Sequence, residues 1–475
     1  AIAGLKAAEV EVLPQIAPAR RNRTLPLSFN QENLWGIHAA LPAASWNHIG
    51  QTLHIQGALD ADALERALLD VLRRHEALRT TFVEEDGTVF QRISDQVELE
   101  LGLWDLAPLP PEERRKRAQR VAQAEIGEPF DLSRDRLLRP TLIRLAKDEH
   151  LLVLSMHHIV ADGWSVRTLT ADLVVCYAAR AAGAEPQLPQ PAIQFADVAV
   201  WERDCAQNGL FEADLRFWRQ RLAGCQHDLR LARDAVSTPV PAMRQAFVRI
   251  DPKTSRRLGE WARAEHSTVF IALCAAWKML LRRYSTNGAV SLCTLVSNRS
   301  RAETESIVGP MLNTVVLRTE FPADMAFRDV ARAVRATALE AYAHQAVPFE
   351  FLLRDLERTS SVTRSSLSKV LFVYEDIDAG ADDVPGLRIT PVTWESNDAP
   401  DTAQPTSFDL VLVAAQESEG IGLSLRYRSD RFEPETIRRQ LADLAALVGA
   451  VVSAPQPVQT QARAETVQRE GADHG

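Results

Sequence analysis

Apolar and polar positions along the 475 residues alternate between a period of two and a period of three to four, so strands and helices are mixed throughout the chain. Gly50 to Ile55 reads as a strand. From about Asp60, a capping residue type, Leu64, Leu68, Val71 and Leu72 fall on one helical face. Leu151-Leu152-Val153-Leu154 is apolar on both faces, as a covered strand is. After the turn at Asp162-Gly163, the residues Val166, Leu169, Leu173, Cys176 and Tyr177 predict a packed helix that starts at Gly163 or Ser165 and ends near Arg180. A long helical pattern from about Lys253 to Arg283 carries Phe270, Leu273, Trp277, Leu280 and Leu281. Strands are predicted at Ala289 to Val296, Phe408 to Val413 and Ile421 to Tyr427.

The periodicity breaks in three places. Pro14 to Arg23 mixes prolines and basic residues, Ala181 to Pro191 is rich in Ala, Pro and Gln, and the stretch after Pro455 is rich in Gln, Ala, Glu and Arg. The expected organisation is a linker over 1–23, a first lobe over 24–182, a second lobe over 183–455 and a disordered tail over 456–475. Each lobe is α/β in the broad sense (α+β). The chain opens on Ala1 rather than Met, which fits an excised or trimmed segment.

Composition narrows the function classes. The 54 Lys and Arg against 63 Asp and Glu give a formal charge of -9, and no basic patch interleaves with aromatics, so nucleic acid is not an expected partner. No apolar run approaches the roughly 18 residues of a membrane span, and the first residues lack a signal-peptide core. Cys176, Cys205, Cys225, Cys274 and Cys293 show no C-x-x-C spacing and sit mostly in apolar segments. They read as small buried hydrophobes of a reducing, cytoplasmic compartment.

The candidate chemistry lies at Ser155 to Ser165, where an apolar strand delivers His157 and His158 to a turn closed by Asp162-Gly163. Side chains alternate along a strand, so the two imidazoles point opposite ways: one acts, the other packs. A metal site needs both on one centre, so none is expected. A neutral imidazole, with an ordinary pKa of about 6.5, suits proton removal near pH 7. Gly163-Trp164-Ser165-Val166-Arg167 does not fit the G-x-S-x-G elbow of a serine nucleophile. His75, at a helix end, reads as structural.

His157-His158-Ile159-Val160-Ala161-Asp162-Gly163 resembles the HHxxxDG signature of the superfamily that holds nonribosomal peptide synthetase condensation domains and chloramphenicol-acetyltransferase-like acyltransferases. Further stretches are similar to condensation-domain motifs in the same order. Ser28 to Trp35 resembles S-x-A-Q-x-R-L-W, Arg74 to Phe82 R-H-E-x-L-R-T-x-F, and Phe195 to Trp201 Y-x-D-[FY]-A-x-W. Val308 to Thr314 resembles G-x-F-V-N-T, and His344 to Glu350 H-Q-D-x-P-F-E. The likeness runs from about Leu25 to about Val452. Departures fall at Asn30, Asn33, Met311-Leu312 and Ala346, away from the histidines and Asp162. Met156 to Ser165 and Arg364 to Leu367 look most like domains that take an L-configured donor, while Trp46-Asn47 departs from the usual start of the first strand and leaves a starter or polyketide-following type open.

The resemblance implies two chloramphenicol-acetyltransferase-like lobes in a V-shaped pseudo-dimer with a central tunnel. Donor and acceptor would arrive as thioesters on the phosphopantetheine of two carrier proteins, with an adenylation domain or synthetase module as neighbour, and the isolated chain would be monomeric. No cofactor would be bound by the chain itself. His158 would position the acceptor amine and take its proton, and Gly163 would let backbone approach the reacting carbonyl, its amide favouring the oxyanion. Asp162 would pair with an arginine of the other lobe, for which Arg299 is the match, and His157 would pack and hydrogen-bond. Trp164, Ser165, Asn313 and Trp201 would support or line the tunnel. Two alternatives stay open: an ester-forming acyltransferase of the same superfamily, and a catalytically silent recruitment domain.

Overall fold

The computed structural model describes residues 13–225, 228–229, 243–367, 369–376, 382–384, 386–392, 408–417 and 419–453. The expected tail, and residues 1–12 of the expected linker, lie outside them.

The first half runs β1 (Leu25–Pro26), α1 (Phe29–Ala40), β2 (His48–Gly57), α2 (Ala61–Arg74), β3 (Thr80–Glu85), β4 (Thr88–Ile93), β5 (Gly102–Asp105), α3 (Pro111–Gly127), β6 (Leu138–Ala146), β7 (Glu149–His157) and α4 (Gly163–Ala181). The second half runs α5 (Phe195–Gln207), α6 (Glu212–Arg221), β8 (Met243–Ile250), α7 (Pro252–Ala264), α8 (Val269–Leu281), β9 (Ala289–Val296), β10 (Asn313–Glu320), α9 (Phe327–Ala343), α10 (Phe349–Thr359) and α11 (Arg364–Leu367). It ends with β11 (Val370–Asp376), β12 (Asp382–Val384), β13 (Leu387–Pro391), β14 (Leu410–Glu417), β15 (Gly420–Arg428) and α12 (Pro434–Ser453).

Each half organises around a six-stranded sheet, ordered β12-β13-β2-β7-β6-β5 in the first lobe and β10-β9-β11-β14-β15-β8 in the second. The strand β7 shows why a covered strand is apolar on both faces. Leu152, Leu154 and Met156 enter the main core of the first lobe, shared with Leu64, Leu68 and Val71 of α2 and Leu169 and Leu173 of α4. Leu151 and Val153 enter a separate cluster with Ala118, Val121 and Ala122 of α3. The sheet is thus sandwiched between α2 and α4 on one face and α3 on the other, and His157 carries the parity of the α3 face.

Three expectations are refined by the tertiary structure. The helical pattern from Lys253 to Arg283 is two helices, α7 and α8, because His266 adopts a left-handed φ of 49° and Thr268 caps the second with its hydroxyl on Ile271 N–H at 3.2 Å. The lobes are not consecutive segments. Strand β13, from the second half, pairs antiparallel with β2 through Leu387↔Gly57 to Pro391↔Leu53, and its Leu387 and Ile389 sink into the first-lobe core. Residues 13–23, expected as linker, are seated on the folded body. Ile16 is buried, Trp201 Nε1 donates to Pro14 O at 2.9 Å, Arg301 Nη2 to Leu13 O at 2.9 Å, and Ala19 N to Asp197 Oδ1 at 2.7 Å.

Candidate functional site

The end of β7 is held from both sides by neighbouring backbone. His157 N donates to Leu137 O at 3.3 Å and His158 N to Asn47 O at 2.6 Å, so both histidines are fixed by the sheet before their side chains are considered. His157 is completely buried and His158 half-buried. The alternation anticipated from the strand pattern therefore separates one packed ring from one accessible ring.

The tautomers follow from the partners. His158 Nδ1 lies 3.2 Å from Ala161 O, an acceptor only, so Nδ1 carries the proton and Nε2 is a bare lone pair. Burial lowers the His158 pKa, against the opposing pull of Asp162 and of the Ala161 carbonyl, and the ring stays neutral. His157 Nδ1 accepts from Ile159 N at 3.1 Å, which places its proton on Nε2. Burial, helped by repulsion from His48, His38 and His158, pushes the His157 pKa down to about 2.

Asp162 is the N-cap of α4 and has no lone pair left for chemistry. Its Oδ1 accepts from Ser165 N at 2.8 Å, Ser165 Oγ at 2.7 Å and Arg299 Nη2 at 3.2 Å; its Oδ2 accepts from Arg299 Nη1 at 2.8 Å and Met311 N at 3.1 Å. Arg299 follows Asn298, whose φ of 54° is tolerated by its short polar side chain and turns the arginine back towards the first lobe. Arg299 Nη2 also donates to Ile307 O at 3.1 Å. Ser165 Oγ, whose one hydrogen goes to the Asp162 carboxylate, accepts from Gly309 N at 3.0 Å. Gly309 is required there, since an added Cβ would lie 2.2 Å from the Phe195 ring. Asp162, Ser165, Arg299, Gly309 and Met311 form one buried polar junction that joins the lobes just behind His158.

Gly163 opens α4, and its N–H is one of those a helix leaves without an intrahelical acceptor. A Cβ at Gly163 would meet nothing within 4 Å, so its surroundings leave room for a ligand beside the helix N-terminus. Trp164 donates from Nε1 to Glu305 O at 2.8 Å and lies under the Arg167 and Arg299 guanidiniums. Asn313 holds the 345–349 loop: its Nδ2 donates to Gln345 O and Val347 O, both at 2.8 Å, and its Oδ1 accepts from Phe349 N at 2.9 Å. Trp201 anchors residue 14, as above. His75 is buried with Nε2 2.7 Å from Asp172 Oδ2.

Sequence reasoning missed three contributors. Asn30 Nδ2 donates to Pro310 O at 3.0 Å, tying α1 to the loop behind the site. Glu202, buried at the same junction with Phe29 N at 3.3 Å, has its carboxyl pushed up to about 7 by burial. His48 sits directly across the ladder from His157. Nothing in a single sequence flags these residues, because each matters through a partner on a distant segment. All five cysteines are free and buried. A groove of about 770 Å³ opens between β1, α1, β4 and α5 and is lined by Arg23, Glu32, Trp35, Phe90 and Arg203; His158 does not line it. No helix among the described residues is long and apolar enough to cross a membrane.

Two sheet-and-helix lobes joined behind a neutral histidine at a strand-to-helix turn define a protein of the chloramphenicol-acetyltransferase-like class. Residues 21–471 match the Condensation domain family, and the chain belongs to it. It is 37% identical over 463 residues to one of the proteins that make up the linear gramicidin synthase of Brevibacillus parabrevis, covering 96% of this chain and 6% of that protein. It is 34% identical over 481 residues to a probable non-canonical nonribosomal peptide synthetase, CymA, of Salinispora arenicola, covering 97% of this chain and again 6% of the relative. The chain therefore spans a small fraction of the synthetases it matches. Among solved structures, the X-domain from teicoplanin biosynthesis, known alone and in complex with OxyB, superposes with a TM-score of 0.77 at 28% identity over 93% of this chain and 98% of that one in its isolated form.

Proposed function

We propose that this domain joins a carrier-bound acyl or peptidyl thioester to the amine of a carrier-bound aminoacyl acceptor, acting in the cytoplasm within a nonribosomal or hybrid polyketide-peptide assembly line. The observation that carries the reading is the His158 tautomer: a neutral, half-buried ring with Nδ1–H pinned to Ala161 O and Nε2 bare, just before the first turn of α4. Nε2 would hold the acceptor ammonium's proton as the amine attacks the donor carbonyl. A C–N bond forms, the C–S bond of the donor thioester breaks, and the departing phosphopantetheine thiolate takes up a proton, while the Gly163 N–H faces the developing oxyanion. Neither metal nor nucleotide enters these steps.

The likeness to an X-domain known with OxyB supports a second reading, a silent recruitment platform. The complete histidine turn argues against it, since a platform has no use for a base held in the reactive tautomer. A single-turnover assay with two loaded carriers, free of ATP and added metal, decides. An amide-linked product on the acceptor carrier supports condensation. Absence of product, with carriers shown to be loaded, favours recruitment, and efficient transfer from coenzyme A thioesters to free alcohols favours an ester-forming acyltransferase.

A further inference from the structure

His157 faces α3, and the residue paired with it across the β2–β7 ladder is His48. Directly opposed residues in an antiparallel pair carry Cβ atoms about 4.5–5.5 Å apart, so their side chains meet. The rings of His48 and His157 lie 5.7 Å apart at 63°, edge to face. Their protonation is complementary and each is fixed by backbone. His48 Nδ1 is 2.8 Å from Ile126 O, so its proton is on Nδ1 and its Nε2 is bare. His157 carries its proton on Nε2, and that buried atom has no hydrogen-bond partner among the described residues. One ring thus offers a donor with no acceptor, and the ring opposite offers an acceptor.

The seat of His48 is itself built by packing. Gly50, two residues on, has no side chain, and a Cβ there would lie 2.3 Å from Ile126 Cδ1. The last turn of α3 therefore lies directly on β2, which brings Ile126 O to His48. The adjacent residue Asn47 supplies the carbonyl that holds His158 N. One short segment, Asn47-His48, so touches both histidines of the turn.

We propose that His48 is a positioning residue for the reaction: its Nε2 accepts from His157 Nε2–H, through a small ring rotation or one bridging water, and so fixes the end of β7 that presents His158. Leaving a buried N–H unsatisfied is costly, and the partner that satisfies it sets the ring orientation. Burial lowers the His48 pKa, which keeps its Nε2 bare at neutral pH. His38, whose ring lies 5.5 Å from His157 at 89°, is the competing neighbour, but no hydrogen bond among the described residues fixes its tautomer.

This inference rests on the proposed role of His158, and the test separates the two. His48→Leu keeps bulk but no polar atom, whereas His48→Gln keeps a donor for Ile126 O and an acceptor for His157. With loaded carriers, His48→Leu is expected to lose roughly 10- to 100-fold in kcat, with carrier KM unchanged, and His48→Gln to recover most of it. In protein labelled with ¹⁵N-histidine, the His157 Nε2–H resonance should stay sharp in wild type and His48→Gln and broaden or shift in His48→Leu. Wild-type kcat in His48→Leu while His158→Ala is inactive, or equal loss in the Gln and Leu variants, overturns the proposal. If His158→Ala itself keeps full activity, the reading of His158 has failed, and the ¹⁵N spectra alone decide on His48: an unchanged His157 resonance in His48→Leu, or a change seen only in His38→Leu, overturns it.

Discussion

Asp162 of the first lobe and Arg299 of the second meet in a two-point ion pair, Oδ2 to Nη1 at 2.8 Å and Oδ1 to Nη2 at 3.2 Å, with side-chain exposures of 1% and 0%. A pair so deep brings little net stability over an apolar substitute, but removing one partner strands the other charge away from water. Asp162→Ala and Arg299→Ala should each destabilise by about 3–5 kcal/mol in urea unfolding. The double variant should lose clearly less than the sum. Arg299→Ala should still cost something in the Asp162→Ala background, because Arg299 also donates to Ile307 O. Strictly additive losses would show that the pair does not act as a unit.

His158→Ala should abolish most condensation, by about 10²- to 10⁴-fold, while its melting temperature stays close to wild type. The ring is half-buried, and its one side-chain bond, Nδ1–H to Ala161 O, lies within the same turn. His157→Ala should do the reverse first, lowering stability and soluble yield, because that ring fills a fully buried site. Equal product from His158→Ala and wild type in the two-carrier assay would remove His158 from the reaction.

The folded domain should lose stability as the medium is acidified from neutral. The His157 pKa drops from its ordinary 6.5 to about 2 on folding, so between those values the unfolded chain binds a proton that the folded one refuses. The contribution is present above 6.5 and lost as pH falls, with a limiting slope of about 1.4 kcal/mol per pH unit for this residue. His48, His38 and His75 are shifted the same way by burial and steepen the loss. Urea unfolding at pH 7.5, 6.5, 5.5 and 4.5 measures it, and His157→Gln should flatten the dependence.

Gly309→Ala should weaken the junction without touching a charged group. The new methyl would sit 2.2–2.7 Å from Phe195 ring and Cβ atoms, in a buried site where neither the helix α5 nor the loop can withdraw easily. A loss of about 1–3 kcal/mol is expected, as for other overpacked cores. Phe195→Leu should recover part of it in the double variant. A Gly309→Ala protein as stable as wild type would mean that the loop shifts freely.

Much of the fold was written locally. Period and capping chemistry placed the strands that became β2, β7, β9, β14 and β15 and the helices α2 and α4, because a two- or four-residue repeat needs no knowledge of the rest of the chain. The same local reading found the histidine turn closed by Asp162-Gly163, while the capping of α4 by Asp162 came from the structure. It missed the break at His266, since the apolar pattern of α7 continues into α8 and a left-handed residue leaves no periodic trace.

The tertiary structure decided what partners what. That β13 completes the sheet of the first lobe, that His48 faces His157, and that Met311 N and Gly309 close on Asp162 and Ser165 are consequences of burial and hydrogen bonding between segments far apart in the chain. A residue's own sequence neighbourhood carries no record of those distant acceptors and donors. The amino-acid order by itself determined which elements form and which histidine turn they present; only the packing of the two lobes, which must pair the buried carboxylate of Asp162 with the buried guanidinium of Arg299, determined which of those residues hold the turn in place.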